Sequence, residues 1–323
     1  MNTAAPAIDT RHAAKQRFRE VLFKGATLAA ALLVLILLGG VVLSLLQGSW
    51  PAFSHFGFSF LTREIWNPVT DEYGALAPVY GTLVTSLIAM LIAIPISFGI
   101  AIFLTELAPD WLKRPVGVAV ELLAAVPSII FGIWGLFVLA PVLQRHVQPA
   151  LIDWLGPLPV IGKMFHGPPF GIGVLTAAVV LAIMVLPFIS AVTRDVFETV
   201  PDVLKESGYG LGATTWEVIW KVVVPYSRTG IVGGIMLGLG RALGETMAVT
   251  FVIGNAHRIS PSLLSPGTTI SASIANEFTE AVGDLYTSSL VALGALLFLI
   301  TFVVIAAARF MLMRLDRRAL SSV

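Results

Sequence analysis

The sequence predicts an all-α integral membrane protein with six transmembrane helices and with both termini in the cytoplasm. Hydrophobic residues form 57% of the 323-residue chain and charged residues only 12%, whereas soluble domains carry about 25% charged residues. Six apolar segments reach the roughly 20 residues that a helix needs to cross a bilayer. The formal net charge of +1 offers no basic surface, so we expect membrane lipid as a partner and no nucleic acid.

The six predicted spans are separated by loops of different lengths. The spans cover residues 26–46, 79–104, 116–143, 171–193, 230–254 and 285–308. The first is expected to remain as an anchor behind a basic N-terminus, residues 1–25, because its 21 uncharged residues exceed the roughly 7–15 of a signal sequence. A periplasmic loop at 47–78, a core of five helices at 79–311 and a cytoplasmic tail at 312–323 complete the expected organisation.

The distribution of lysine and arginine predicts which loops are cytoplasmic. Fifteen basic residues lie at the N-terminus, in the 105–115 turn, in the 194–229 loop and at the C-terminal end, against four in the alternate loops. Cytoplasmic loops of membrane proteins are enriched in lysine and arginine. The sequence therefore predicts an N-in, C-in topology that places the 194–229 loop on the cytoplasmic side.

The 194–229 loop carries the most distinctive pattern of the chain. An acid is followed by two small residues, by a glycine six positions after the acid, and by an apolar triplet closed by proline. The residues of this pattern are Glu206, Ser207, Gly208, Gly212, Val222, Val223, Val224 and Pro225. Thr214 and Glu217 predict a capping box for a second short helix, which we expect Pro225 to end. Two short helices with a glycine elbow form a knob suited to docking, and the alternative is an ordinary cytosolic loop.

The fifth span holds the only basic residue inside a predicted span, Arg241, with Glu245 four positions later. A mid-membrane arginine costs about 2.5–3.5 kcal/mol on insertion scales, so its side chain should face protein or water. On a helix both residues share an arc of about 80° with a ladder of small residues suited to close packing. This ladder is Gly230, Gly234 and Gly238. The charged pair either staples helices together or lines a pathway, and the planar guanidinium favours passage of a tetrahedral oxyanion.

Outside these two regions the sequence offers few candidate sites. Pro127 interrupts the third span, where we expect a simple kink, with Ser128 as a candidate for the pathway lining. The 144–170 loop is expected to form a short amphipathic helix at 150–155, which either lies on the bilayer surface or contacts an extracytoplasmic partner. The chain has no cysteine and five scattered histidines, and no Walker A pattern. We therefore expect no catalytic residue, no metal and no cofactor in this chain.

Residues 201–225 resemble the EAA loop of ATP-binding-cassette (ABC) importer permeases, the cytoplasmic hook that engages a separate ATPase. With the strings GRALGETMAVTF and VPSIIFGIWGLFVLAP, the chain is similar to PstC-type permease subunits of the bacterial phosphate-specific ABC importer, from about residue 116 to the C-terminus. The resemblance implies a type I ABC importer permease architecture in the bacterial cytoplasmic (inner) membrane. It also implies a transport role for Arg241 and Glu245, which match an arginine and an acid of the family.

The same resemblance implies partners and a cargo. These are a PstA-like second permease in a heterodimer, a PstB-like ATPase dimer on the cytoplasmic face, a PstS-like periplasmic phosphate-binding protein, and inorganic phosphate. The partner ATPase would bind ATP, so the chain itself is expected to be a transporter subunit and not an enzyme. A sulfate or molybdate permease and a non-conducting scaffold for phosphate signalling remain alternatives. The absence of an inverted repeat disfavours an ion-driven secondary transporter.

Overall fold

The computed structural model describes residues 10–159 and 161–320, with side chains placed for 19–159 and 161–310. Residues 1–9 of the expected N-terminus and residues 321–323 of the expected tail lie outside the described residues. The chain divides into two compact units, Met1–Gly48 and Ser49–Val323. The described residues form helices and one isolated β-bridge, between Asn67 and Glu72, but no strand.

Fourteen α-helices follow one another in the described part of the chain. They are α1 (Thr10–Phe56), α2 (Ser59–Thr62), α3 (Leu76–Ile102), α4 (Asp110–Ala125), α5 (Ser128–Trp134), α6 (Ala140–Val142), α7 (Gln148–Leu155), α8 (Val174–Glu198), α9 (Asp202–Gly210), α10 (Thr215–Val218), α11 (Val224–Gly244), α12 (Met247–Val252), α13 (Ile270–Glu277) and α14 (Asp284–Leu320). π-Helical turns extend or join several of them, at Phe103–Leu107, Gly135–Leu139, Leu143–Val147 and Ile219–Val223. A 3₁₀ helix covers Ile161–Phe165.

Among the described residues, six helical segments are long and apolar enough to span a bilayer, which confirms the predicted number of spans. They are Arg19–Phe56, Leu76–Leu107, Ser128–Leu155, Val174–Glu198, Thr215–Gly244 and Asp284–Phe310. The predicted segments 26–46, 79–104, 171–193 and 285–308 lie almost entirely within the first, second, fourth and sixth of these helices. A long apolar run is sufficient to locate a span of this kind. The N-in, C-in orientation stays a prediction.

The third span is not where the sequence predicts it, at 116–143. α4 ends at Ala125, Val126 and Pro127 are extended, and a new helix begins at Ser128 and continues through π turns as one span. Proline lacks an N–H donor and disfavours helical backbone at the residue before it, so the chain unwinds instead of kinking. The short helix expected at 150–155 is present as part of α7, but it continues the third span instead of lying within an external loop.

The fifth span differs from the prediction at both ends. Pro225 does not end the helix. It lies in the first turn of α11, directly after the π turn Ile219–Val223, where a missing N–H and a fixed φ are tolerated. The helix runs on to Gly244, after which Glu245 is extended (φ −66°, ψ 131°) and α12 follows as a separate helix. The expected continuous span 230–254 is therefore broken.

α8 lies at the centre of the core of the second unit. Its side chains Leu181, Val185 and Ile189 are fully buried and pack with residues of α3, α11 and α12 in one cluster. On α3 the small residues Ala89 and Ala93 are also fully buried, which allows close approach of the helices. The unbroken helices α3 and α8 thus support α11 and α12, the two parts of the broken fifth span.

Candidate functional site

Two glycines shape the segment that runs from the end of α8 into the first turn of α11, residues 199–225, which we call the insert. After α9, Gly212 adopts φ +85°, a left-handed conformation that glycine reaches without steric cost. A Cβ at Gly208 would lie 3.1 Å from Val218 Cγ2, so the small residue lets α9 lie against α10. The glycine elbow expected from the sequence thus depends on the left-handed backbone conformation of Gly212 and on the close packing of α9 against α10 at Gly208.

The capping box predicted from Thr214 and Glu217 is confirmed. Thr214 Oγ1 accepts a hydrogen bond from the backbone N–H of Glu217 at 3.4 Å, and the Glu217 carboxylate accepts one from the Thr214 N–H at 3.1 Å. Lys221 adds an exposed ion pair with Glu217 at 3.0 Å. These reciprocal hydrogen bonds fix the start of α10 and hence the second half of the insert.

The insert has one buried apolar face and one exposed apolar face. Val218 and Val223 are buried in a cluster with Phe197 of α8, whereas Leu211 is 90% exposed and Trp216 is 65% exposed. The two exposed side chains make this part of the insert a candidate interaction surface. The residues of the acid–small–glycine pattern are exposed or half-buried around it: Glu206, Ser207, Gly208, Gly212, Val224 and Pro225.

Arg241 lies half-buried in the last turn of α11. Its guanidinium carbon is 4.2 Å from the centre of the Phe188 ring of α8, and such a contact stabilises a cation by about 0.5–2 kcal/mol. Its Nε is buried and has no hydrogen-bond partner among the described residues. A buried donor without an acceptor requires an explanation in a native fold, and a bound anion would provide one.

Glu245 does not pair with Arg241. It lies beyond the end of α11, and its Oε1 accepts a hydrogen bond from the N–H of Ala248 at 3.3 Å, at the start of α12. The expectation that both side chains share one helical face is wrong, because the helix ends between them. Within the described part of the chain Glu245 caps a broken helix, and the ion-pair staple is not formed.

The α4–α5 break and the α11–α12 break lie in the same region of the fold. A Cβ at Gly132 of α5 would lie 2.8 Å from Phe251 Cδ2 and 3.1 Å from Ala248 Cα of α12. Ser128, half-buried, opens α5 one helical turn before this contact. Unwound backbone at membrane depth is tolerated only where it is packed in protein or lines a cavity. The two breaks therefore mark the part of the fold where a polar path is possible.

The three glycines of α11 lie against α8. A Cβ at each would come unusually close to a side chain of α8: Gly230 to Val196 at 2.5 Å, Gly234 to Val192 at 3.0 Å and Gly238 to Ile189 at 2.7 Å. A larger residue would push the two helices apart, as expected for a small-residue interface in a membrane. This packing also holds Arg241 beside Phe188, because the two residues lie on the same pair of helices.

Sequence reasoning missed a cluster of aromatic and ionisable side chains at the opposite end of the spans from the insert. The Trp66 ring stacks on His257 at 5.2 Å, and its Nε1 donates to Glu277. The Tyr286 hydroxyl donates to the same carboxylate at 2.8 Å. Burial lowers the pKa of His257, although the Glu277 carboxylate at 3.5 Å acts to raise it. The members come from distant parts of the chain, so no local pattern could reveal them.

Comparison with known proteins places this architecture in a class. A chain of the solved bacterial alginate ABC transporter, in complex with alginate pentasaccharide-bound periplasmic protein, has the same fold, with 18% identity and a TM-score of 0.62 over 93% of this chain and 97% of that chain. Residues 94–320 match the family described as binding-protein-dependent transport system inner membrane component. The six spans, the insert and these matches define the permease subunit of an ABC importer.

Two relatives identify the family within this class. A phosphate transport system permease protein PstC of Mesorhizobium japonicum is 66% identical over 98% of this chain and 97% of the relative. Another, from Pasteurella multocida, is 62% identical over 93% of each chain. The chain belongs to the PstC-type permease family. It is a multi-pass inner-membrane permease subunit of a phosphate ABC importer and works with the partners of an ABC transporter.

Proposed function

We propose that this subunit forms one half of the phosphate translocation pathway and that phosphate passes Arg241. The observation that carries the proposal is the buried Nε of Arg241, which has no acceptor among the described residues and lies next to a break in its own span. A guanidinium presents a planar fork of donors that matches a phosphate oxyanion in two-point contact. Glu245 at the start of α12 and Ser128 at the start of α5 are the proposed neighbours of this path.

The surroundings of Arg241 support binding of an anion from outside the chain. The Phe188 ring attracts the cation but accepts no strong hydrogen bond, so the guanidinium donors keep their capacity for an oxyanion. Ionisable side chains inside membrane spans are rare and costly, and they mark ion pathways and proton relays. The purely structural alternative required an ion pair with Glu245, and that carboxylate instead accepts a hydrogen bond from Ala248.

We further propose that the insert docks a separate ATPase. Leu211 and Trp216 form an exposed apolar face beside the accessible acid Glu206. The proposed complex contains a PstA-like second permease, a PstB-like ATPase dimer that binds and hydrolyses ATP, and a PstS-like periplasmic phosphate-binding protein. With N-in, C-in topology the insert faces the ATPase. Support comes from the phosphate transport system name of the relatives and from the periplasmic protein in the similar solved transporter.

The test is uptake of labelled phosphate by proteoliposomes that contain this chain, its second permease and its ATPase, with binding protein and ATP supplied. We expect ATP-dependent uptake that about tenfold excess sulfate or molybdate does not inhibit, and loss of uptake in Arg241→Gln. Lys163→Gln, which removes an exposed basic side chain of the 3₁₀ helix Ile161–Phe165, is the matched control and should retain uptake within about twofold. Uptake of sulfate or molybdate in place of phosphate, or normal uptake by Arg241→Gln, would contradict the proposal.

A further inference from the structure

A buried ion pair joins the insert to the end of the second span. Lys205 Nζ of α9 lies 2.6 Å from Glu106 Oε1, in the π turn Phe103–Leu107 that extends α3. The two side chains are only 16% and 7% exposed, so solvent ions screen their attraction little. The Phe98 ring of α3 adds a contact to Trp220 of the insert, with ring centres 5.7 Å apart. Charge and aromatic packing therefore link the insert to α3.

The other ion pair of the insert provides a contrast. Lys221 and Glu217 are 3.0 Å apart but 72% and 41% exposed, and they lie four residues apart on one helical segment. An exposed pair of this kind contributes little. The Lys205–Glu106 pair joins two different helical segments, and its separation takes the partner away from two charges that are mostly shielded from solvent. It therefore holds α9 and the end of α3 in one relative position.

The opposite end of α3 contacts the loop between α12 and α13, residues 253–269, and the first residue of α13. Thr82 Oγ1 accepts a hydrogen bond from the N–H of Ile270 at 2.9 Å. Gly81 lies so close to the backbone of Thr268 that a Cβ would not fit between them. The helix is continuous between these contacts and the ion pair, a length of about 38 Å. α3 thus connects the insert with the loop that follows the broken fifth span.

We propose that Lys205 and Glu106 are positioning residues that transmit movement of the insert to α3 and, through α3, to the 253–269 loop. The inference rests on the proposed docking of the ATPase on the insert. A continuous helix with a fixed contact at each end is an element whose displacement reaches both ends. Movement of the ATPase at the insert then reaches the loop that directly follows α12, beyond the break next to Arg241.

Single substitutions that remove one charge test this proposal. In Lys205→Met and Glu106→Gln we expect the phosphate taken up per ATP hydrolysed to fall by about tenfold, while the ATPase still co-purifies with the permeases. The exchange variant Glu106→Lys with Lys205→Glu rebuilds the pair in the reverse order. It should recover the ratio to within about threefold of the native complex. Lys113→Met is the matched control, since it breaks the exposed Lys113–Asp110 pair of α4, outside the insert, and should leave the ratio unchanged within about twofold.

The readouts separate this inference from the docking proposal. Failure of the ATPase to co-purify with the native permeases would defeat the docking proposal and the inference that rests on it. Normal co-purification with an unchanged phosphate-to-ATP ratio in both single variants would overturn only the transmitting role. A ratio that stays normal while less complex assembles would reduce the pair to a structural contact, and this result also overturns the proposal.

Cross-linking gives a second test that does not depend on rebuilding the charges. The chain contains no cysteine, so Glu106→Cys with Lys205→Cys can be joined specifically by a short bis-maleimide, with partner subunits that lack accessible cysteines. We expect the double variant to be uncoupled before cross-linking and to regain about fivefold in the phosphate-to-ATP ratio afterwards. A complete cross-link that leaves the complex uncoupled, or that stops transport, would overturn the proposal, because helices that move together tolerate a permanent link.

Discussion

The guanidinium of Arg241 lies on the face of the Phe188 ring, 4.2 Å from its centre, while its Nε has no acceptor among the described residues. The ring belongs to α8, the central helix of the core, whereas Arg241 belongs to a helix that ends at Gly244. An aromatic face attracts a cation without occupying its N–H donors. The two residues therefore combine a fixed position for the charge with free hydrogen-bonding capacity.

Replacing Arg241 separates a pathway role from a structural role. We expect Arg241→Gln to lower phosphate uptake by about a hundredfold, because a mid-membrane site for a phosphate loses its charge and its planar fork. Arg241→Lys keeps the charge and should recover only about a tenth of the native rate, since an ammonium makes no two-point contact. Uptake is measured in proteoliposomes and normalised to the amount of assembled complex. Equal rates for the lysine variant and the native subunit would contradict two-point recognition.

Phe188→Leu is the companion variant. It removes the aromatic face but keeps an apolar side chain of comparable size at this position. The cation contact is worth about 0.5–2 kcal/mol, so we expect uptake to fall by about two- to thirtyfold, less than in Arg241→Gln. A larger loss than in Arg241→Gln, at equal assembly, would show that Phe188 acts through packing of α8 and not through the guanidinium.

We expect two roles for Glu245. Its carboxylate oxygen accepts a hydrogen bond at the start of α12, and its charge acts in the proposed phosphate pathway. Glu245→Gln keeps an acceptor for the Ala248 N–H, so the complex should assemble normally, while uptake falls by about tenfold if the carboxylate takes part in proton exchange with phosphate. Glu245→Ala also removes the acceptor and should lower the yield of extracted complex, because loss of a helix cap costs about 1 kcal/mol. Native uptake by Glu245→Gln would leave the cap as its only role.

Gly212 is constrained by its backbone and not by its neighbours. Its φ is +85°, and no atom lies within 4 Å of a Cβ built there. A residue with a Cβ in this conformation costs about 1–2 kcal/mol, so Gly212→Ala should weaken ATPase binding and uptake together, by about five- to thirtyfold. Gly210→Ala is the matched control, because Gly210 ends α9 with equally open space. Similar losses at both positions would refute the conformational explanation.

Gly212→Asn distinguishes backbone strain from close approach of the ATPase. Asparagine tolerates the left-handed region, so this variant keeps the turn and adds bulk. Restored ATPase binding would assign the effect of alanine to the backbone alone, whereas continued loss would place the partner surface directly over Gly212. Gly212→Asp adds a negative charge to the same bulk and should bind the ATPase no better than Gly212→Asn.

Local signals in the sequence were sufficient for much of the fold. The number of spans follows from apolar length, and the capping box follows from Thr214 and Glu217, which interact over three positions. Hydropathy misplaced the third and fifth spans because an apolar run does not record where the backbone unwinds. Pro127 is the available signal for one break, but a proline within an apolar run predicts a kink as readily as an unwound turn. No residue type at 244–246 forces the other break, and the packing of α12 against α5 beyond it joins residues that are distant in the sequence.

The sequence predicts a residue of the candidate site only where the signal for that residue lies within one continuous segment. Arg241 could be found because a charge inside a span is costly and rare. Its contact with Phe188 could not, since that residue belongs to another helix. The Lys205–Glu106 pair joins residues 99 positions apart, and the cap on α12 appears only once the helix is broken. Long-range contacts of this kind follow from the fold and not from any spacing in the sequence.

The N-in, C-in topology is open to direct measurement. Reporter fusions after Arg63, Leu158 and Arg258 should be external, and those after Arg114 and Lys205 cytoplasmic, because cytoplasmic loops carry the excess of basic residues. Leu158 is chosen since helix α7 ends three residues before it, so the fusion interrupts no span. An external reporter after Lys205 would place the insert away from any cytoplasmic ATPase and would defeat the docking proposal.

His257 is expected to make the stability of the complex depend on pH. Its ring is buried against Trp66, with Nε2 3.1 Å from Ser273 Oγ and 3.5 Å from Glu277 Oε1. Burial lowers its pKa below the usual value of about 6.5, although Glu277 acts to raise it. The unfolded chain therefore binds a proton more readily than the folded one. The stabilisation is complete above about pH 6.5 and is lost as the pH falls, by at most about 1.4 kcal/mol per pH unit.

The measurement is the melting temperature of the detergent-extracted complex between about pH 5 and pH 8, the range in which histidine titrates. His257→Gln cannot titrate, so it should melt lower than the native complex at neutral pH and lose less stability on acidification. His55→Gln is the matched control, because His55 is an exposed histidine, and its profile should follow the native one. A His257→Gln profile parallel to the native curve would mean that protonation of this side chain is not linked to folding. The pH dependence would then belong to other groups of the complex.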